Sequence, residues 1–366
     1  MNNIWKPDWS SSFLLIDVSY AAFYKYFALK NWYYLAYPDK KPKSSINGEN
    51  TDTSDTLDNT DLMNDEVFIQ KYRKLFMEQI LKISKKQKVK SSNLVFAFDC
   101  RGSNIWRHSF TDTYKATRAA SHKRQGIVNC SFFGIAREVI EEYCNIHQCP
   151  RFRNSNAEAD DIIAITTNYI KNEYVRQSQN SPMILLNSKI IILASDNDYI
   201  QLCSELPLPD EPAFQVKPQV CLINMKGDLV ISKYNNPLQA LISKILLGDT
   251  SDNIPACNIN KAVFPMIFPK ASSISITYSK CSKSVIEKLL NNPEAYQIIL
   301  EQFEKNRSLF KSHFTTNTSV KLDELNDIIT QDGTFSKSQL IVDFEAIPYS
   351  ITNEIHQQIK DAVLGA

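Results

Sequence analysis

Three short runs of unbroken apolar character, residues 13–18 (FLLIDV), 94–98 (LVFAF) and 190–194 (IIILA), each contain or lead within two residues into an aspartate: Asp17, Asp99 and Asp196. A strand with one wet face alternates polar and apolar residues, so unbroken runs of this length belong to strands buried on both faces. Such strands are found in parallel sheets covered by helices. The sequence between the runs supplies those helices. Phe68, Tyr72, Leu75, Phe76, Ile80 and Ile83 recur at helical spacing, as do Phe132, Ala136, Val139, Ile140 and Tyr143, and again Ile162, Ile165, Tyr169 and Ile170. The expected class is α/β, a central mostly parallel sheet flanked by helices. Residues 238–247 (LQALISKILL) form one more apolar stripe, closed by Gly248 where a helix commonly stops.

Residues 38–65 are rich in Asp, Asn, Ser and Thr and nearly free of apolar side chains, which predicts a mobile insertion. Beyond Pro255 the pattern turns mostly helical. Residues 285–303 and 351–363 are the clearest helices there, and 339–344 (QLIVDF) read as a short strand. Residues 256–366 are accordingly expected to form a smaller helical subdomain behind a larger one spanning 1–255.

Acidic residues at the carboxyl ends of parallel strands converge on one edge of the sheet, where open α/β folds bind their ligands. Nine carboxylates sit at such places: Asp17, Asp99, Glu158 with Asp160 and Asp161, Asp196 with Asp198, and Asp249 with Asp252. Carboxylates crowded into one pocket resist ionising unless cations share it, and hard oxygen donors suit Mg²⁺ or Mn²⁺. The spacing points to two ions and to phosphoryl chemistry. Each motif alone has an ordinary explanation, since acids favour helix N-termini and Asp is a turn residue. Their joint occurrence carries the weight. In EADDIIA, Glu158 and Asp161 share a helix face, and Asp160 joins them if the first turn is irregular.

The formal net charge of +1 hides an asymmetry, because acid is concentrated in the motifs and base is spread elsewhere. Residues 70–90 hold eight Lys or Arg against one Glu, and residues 101–124 hold six against one Asp. Two basic runs around an acidic pocket suit a polyanion, with nucleic acid the natural candidate. Eight cysteines without a CxxC pair argue against a zinc ribbon or a disulfide framework and for a reducing compartment. Cys144 and Cys149 around His147 are expected to pack near a helix end. Neither a leader nor a membrane-spanning run is visible, so a cytoplasmic location is expected, that of a host if the source is viral. Abundant Asn, Lys and Ile point to an AT-rich genome.

Residues 98–118 (FDCRGSNIWRHSFTDTYKATR) place Arg107, Lys115 and Arg118 beside Trp106 and Tyr114, so that cations can clamp a phosphate while rings stack on bases. With EADD, SDND and GDTSDNIP in that order, this set resembles the 5′ nuclease family of flap endonucleases and 5′-3′ exonucleases, within it the stand-alone ribonuclease H of T-even bacteriophages. The resemblance implies a PIN-like 5′ nuclease domain over 1–255, with a helical arch across 100–130, and a C-terminal DNA-binding subdomain. It makes Asp17, Asp99, Glu158 and Asp160 or Asp161 ligands of a first metal, and Asp196, Asp198 and one of Asp249 or Asp252 ligands of a second. Lys115 and Arg118 become catalytic beside Asp17, Asp99 and Asp196. Arg107, Tyr114, Lys115, Arg118, Lys123 and Arg124 become contacts to nucleic acid.

The activity so implied is Mg²⁺-dependent hydrolysis at 5′ ends and flaps of RNA or DNA annealed to DNA, with two Mg²⁺ ions that Mn²⁺ could replace. It would remove RNA primers in lagging-strand replication. A monomer is expected, with a single-strand-binding protein or sliding clamp as possible partners by analogy. The sequence departs from the family after GDTSDNIP, where ACNINKAVFPMIF lacks the glycine-rich hairpin that grips duplex DNA. Two alternatives stand beside this reading. One is a catalytically weak nucleic-acid-binding module of the same fold. The other is a magnesium-dependent phosphatase, which would need a second Asp two residues after its nucleophile, whereas Asp17 is followed by Val18 and Ser19.

Overall fold

The computed structural model describes residues 4–41, 62–118, 131–181, 183–184, 188–204, 218–232, 236–258, 281–316, 330 and 333–365. Five strands, β1 (Phe13–Asp17), β2 (Leu94–Phe98), β3 (Arg151–Arg153), β4 (Lys189–Leu193) and β5 (Gln219–Ile223), form one wholly parallel sheet in the order β3-β2-β1-β4-β5. The three apolar runs are the three central strands. The pleat sends alternate side chains to opposite faces. Leu14, Ile16, Leu94, Phe96, Ile191 and Leu193 enter the core beneath α1 (Val18–Ala36), α2 (Glu66–Lys86) and α3 (Phe132–His147). Phe13, Leu15, Val95, Ala97, Ile190 and Ile192 enter a second core beneath α4 (Ala159–Ser178).

The chain winds outward from β1 through β2 to β3, then crosses to the other side of β1 for β4 and β5. The strand order therefore reverses between β1 and β4. At such a switch point the flanking loops diverge and leave a crevice beyond the strand ends. Asp17 ends β1, and Asp196 lies just beyond β4.

Helix α5 (Pro237–Leu247) stops at Gly248, whose φ of +69° and ψ of −176° exclude a side chain: a Cβ would lie 2.4 Å from the Ile254 carbonyl oxygen. The chain then turns through Asp249 and Asp252 and rejoins itself by paired backbone bonds between Asp249 and Ile254. Four helices contribute to the rest of the described chain: α6 (Lys283–Asn291), α7 (Pro293–Thr316), α8 (Thr334–Val342) and α9 (Tyr349–Leu364). The helix expected over 285–303 is two helices, because Pro293 has no N–H and disfavours helical geometry at Asn292. The strand expected over 339–344 is instead the end of α8 and the turn after it. Asp343 stops that helix and its side chain accepts from the Glu345 amide.

These helices share core with the sheet. Phe344, Ile347, Ile351, Ile355 and Ile359 pack under the same face as α4, while α5 to α8 surround a third core. The insertion expected over 38–65 lies outside the described residues between 42 and 61. Its ends are built in: Leu62 and Met63 are buried, and Asp65 caps α2 while pairing with Lys40 and Tyr33. Cys144 and Cys149 are buried at the end of α3 with sulfurs 3.3 Å apart, as helix-end packing requires.

Candidate active site

A cavity of about 810 Å³ opens at the switch point. Its acidic floor comes from four separate elements: Asp17 from β1, Asp99 from the turn after β2, Glu158 and Asp160 from the start of α4, and Asp196 from the turn after β4. Asp17 also caps α1, accepting from the Tyr20 amide at 2.9 Å, and takes a second hydrogen bond from the Tyr199 hydroxyl at 2.9 Å. Asp99 accepts the Ala159 amide at 2.7 Å and so ties β2 to the first turn of α4.

Crowding shows in the titration of these groups. Burial, and then the charge of Asp99, push the Asp17 carboxyl up to about 7. Asp160 is also raised, by burial and by Asp161 beside it. Asp198 is pushed up to about 7 by burial and the Asp196 charge, against the pull of Lys244. Glu158 moves the other way. Burial acts to raise it, but Lys115 and Arg107 outweigh that and hold it below the usual range.

Lysines partly balance the surplus acid. Lys115 Nζ donates to Glu158 Oε1 at 2.5 Å. Lys244, on α5, contacts Asp198, lies 3.0 Å from Asp249 and reaches Asp196 at 4.0 Å. Asp252 sits apart from the cavity floor, 3.3 Å from Arg118 and 4.0 Å from Lys115. Lys115 itself has a positive φ of 55°, and its amide donates to the Asp252 carbonyl at 3.0 Å. The YKATR turn is thus docked onto the GDTSDN turn in a conformation that non-glycine residues adopt at a cost.

Among the described residues no three acidic, histidine or cysteine side chains stand as a finished metal cage. The donor chemistry nevertheless fits a hard divalent cation. All the donors are oxygens, and the ion pairs of the site's acids among the described residues involve Glu158, Asp161, Asp196, Asp198, Asp249 and Asp252, not Asp17, Asp99 or Asp160. The raised affinity of Asp17 and Asp160 for protons is what a bound cation would relieve.

A family model for the 5′-3′ exonuclease N-terminal, resolvase-like domain matches residues 12–216, more than half of the chain. The chain belongs to the 5′-3′ exonuclease family. The matched span carries the clustered acids from Asp17 to Asp198, while Asp249 and Asp252 follow it. No curated protein matches the chain. Solved structures similar to this chain include the bacteriophage T5 D15 protein co-crystallized with metal ions (12% identity, TM-score 0.48) and T5 5′-exonuclease with zinc bound (13%, TM-score 0.45). A third is a variant of T5 D15 flap endonuclease in a pseudo-enzyme-product complex with DNA and metal ions (12%, TM-score 0.49). Each comparison covers 96% of this chain and 99% of the T5 chain.

Asp198, Asp249 and Asp252 are not among the residues lining the cavity, and Arg107, Asp161 and Tyr114 are turned inward. Arg107, read as a grip on the strand, is 2% exposed. Its guanidinium holds Asp161 in a bidentate pair at 2.8 and 2.9 Å, meets Glu158 at 3.2 Å, and donates through Nε to the Ile341 carbonyl at 2.8 Å. Asp161 is correspondingly not free to hold a metal. It is fully buried and also accepts from the Trp106 indole at 3.0 Å and the Glu158 amide at 3.1 Å. Of the pair left open in the motif, Asp160 is the one on the cavity. Tyr114 is buried with its hydroxyl donated to Glu158 at 2.9 Å, so no base can stack on it.

Lys115 and Arg118 line the cavity. Lys123 and Arg124, with residues 119–130 of the expected arch, lie outside the described residues; residues 101–117 form short 3₁₀ segments and turns, and Arg118 is helical. Sequence reasoning missed Lys244, hidden in an apolar helical stripe, Arg137 and Arg153, which line the cavity from elements the motifs do not include, and Arg101, which the 98–118 motif contains beside more conspicuous cations. Among the described residues no helix is long and apolar enough to cross a membrane.

Proposed function

We propose that this chain is a divalent-metal-dependent 5′ nuclease that hydrolyses phosphodiesters at 5′ ends and flaps of RNA or DNA annealed to DNA. The observation that carries the reading is the cavity itself, an acidic floor at the switch point with Lys115 and Arg118 on its wall. Asp17, Asp99, Glu158 and Asp160 would hold one cation, and Asp196, Asp198 and Asp249 a second, with Mg²⁺ the expected ion and Mn²⁺ a substitute. A bound pair supplies an activated water and charge neutralisation at the leaving oxygen.

The chain's own residues do the rest. Lys115 and Arg118 steer a phosphate to the floor and offset the charge that builds on it. For Lys115 to do so it must give up Glu158, which frees that carboxylate for a cation in the same movement. Lys244 stands in the same relation to Asp198 and Asp249. The Asp17 bonds to Tyr20 and Tyr199 fix its carboxylate so that it does not follow the substrate.

In cells the activity would remove RNA primers and 5′ flaps during lagging-strand synthesis, as ribonuclease H does in T-even phages. The location would be the cytoplasm of a host, and the partners a single-strand-binding protein or a clamp. The test is cleavage of a 5′-labelled RNA primer and a DNA flap, each annealed to DNA, in Mg²⁺ and in EDTA. Short 5′ products only in Mg²⁺ are expected. Binding of both substrates without cutting, in Mg²⁺ and Mn²⁺ alike, would overturn the proposal in favour of a binding module.

A further inference from the structure

The basic side chains on the cavity divide into two kinds. Lys115 and Arg118 are neutralised by Glu158 and Asp252. Arg101, Arg137 and Arg153 also line the cavity but form no salt bridge among the described residues. They come from three separate elements. Arg101 follows Asp99 by two residues, Arg137 is exposed on α3, and Arg153 ends the edge strand β3.

Arg153 is held in place by its backbone. It pairs in register with Phe98, the residue before Asp99, and its carbonyl accepts from the Gln358 side chain of α9 at 2.9 Å. Arg137 also approaches from a different side than Lys115. Arg137 projects from a helix of the core that α1, α2 and α3 share, whereas Lys115 follows Tyr114, which belongs to the core of α5 to α8.

A phosphodiester brings one negative charge per nucleotide, and Lys115 and Arg118 suffice to receive it. Three further guanidinium groups without carboxylates match a more highly charged ligand. A terminal phosphomonoester carries roughly −1.5 to −2 near neutral pH and three strong acceptor oxygens, and guanidinium forks suit it geometrically. We propose that Arg101, Arg137 and Arg153 form a subsite for the 5′-terminal phosphate of the strand to be cut. A strand anchored there has its first phosphodiesters over the acidic floor, so the subsite measures the cut from the strand's end. The proposal rests on the nuclease reading for the cleavage step alone, and the binding of the phosphate stands without it.

The test compares two duplexes with a recessed 5′ end, identical except that one carries a 5′-phosphate and the other a 5′-hydroxyl. Fluorescence anisotropy in EDTA gives both affinities without any turnover. The wild-type chain is expected to bind the phosphorylated end about tenfold more tightly, on the order of one or two charge-assisted hydrogen bonds. The double variant Arg137→Ala, Arg153→Ala is expected to bind both ends equally, with unchanged circular dichroism. Arg151→Ala, a neighbouring exposed arginine off the cavity, is expected to keep the preference. Equal affinities in the wild type, or a preference that survives in the double variant, would overturn the subsite. Cleavage in Mg²⁺ separates the two readings. A phosphate preference in EDTA with no cutting would sink the nuclease alone, and cutting without any end preference would sink the subsite alone.

Discussion

Replacing Arg107 by alanine should unfold this protein far more readily while leaving the folded form able to bind DNA. The guanidinium is 2% exposed and makes four hydrogen bonds, two to Asp161, one to Glu158 and one to the Ile341 carbonyl. Removing it strands the Asp161 charge at 0% exposure with only the Trp106 indole and the Glu158 amide for company. Breaking a buried pair from one side costs about 3–5 kcal/mol, because the remaining charge stays buried without compensation. Domains are stable by only about 5–15 kcal/mol, so much of the margin goes. Urea unfolding should show the midpoint falling at nearly constant slope. DNA affinity per folded molecule should stay within about twofold, since the side chain does not reach the cavity surface. The double replacement Arg107→Met, Asp161→Leu should recover most of the loss by removing both charges together. Should Arg107→Ala instead keep its stability within about 0.5 kcal/mol while DNA affinity collapses, the residue belongs on the strand and the buried-pair argument is wrong.

Asp160→Asn is expected to abolish cleavage with little change in unfolding midpoint, and Asp161→Asn to do the reverse; matching phenotypes would mean that the two carboxylates are not divided as described. Lys115→Ala should lower kcat by about a hundredfold or more with KM nearly unchanged, and single-turnover kinetics on a labelled flap would expose a pure binding defect instead. Asp17 and Asp198 titrate near 7 in the folded chain, raised by burial and by Asp99 and Asp196 respectively, against about 3.8 when unfolded. The metal-free protein therefore binds extra protons and gains stability as pH falls from 8 through 7 towards 5. Glu158 and Asp249 are held low, so their contribution is lost below about pH 4. Thermal midpoints in EDTA should rise on this acid-going path and flatten in Mg²⁺; a flat profile in EDTA refutes the crowding. Gly248→Ala should cost a few kcal/mol by differential scanning calorimetry, because φ and the Ile254 carbonyl both exclude a Cβ.

The sheet was legible because its central strands are buried on both faces and therefore carry unbroken apolar runs that no half-exposed strand would show. The stop at Gly248 was legible for an equally local reason. What escaped was decided by partners distant in sequence. Nothing in EADD distinguishes Asp160 from Asp161, since the choice is made by Arg107, 54 residues earlier. Arg107 in turn sits among cations that do line the cavity, and only its reach to Ile341 shows it to be internal. A short run such as QLIVDF is equally apolar as a buried strand or a buried helix end, and only the packing of Leu340, Ile341 and Val342 against different neighbours separates them.

The backbone from Ile341 to Phe344 is held by two side chains from the cavity's supports, Arg107 behind Glu158 and Gln201 behind the SDND turn. A ribosome delivers these parts in order, so the strands and their acids exist long before the segment that steadies them. Until that segment arrives, Arg107 and Gln201 have no such anchor. A growing chain would thus carry every acid of the cavity without the finished arrangement.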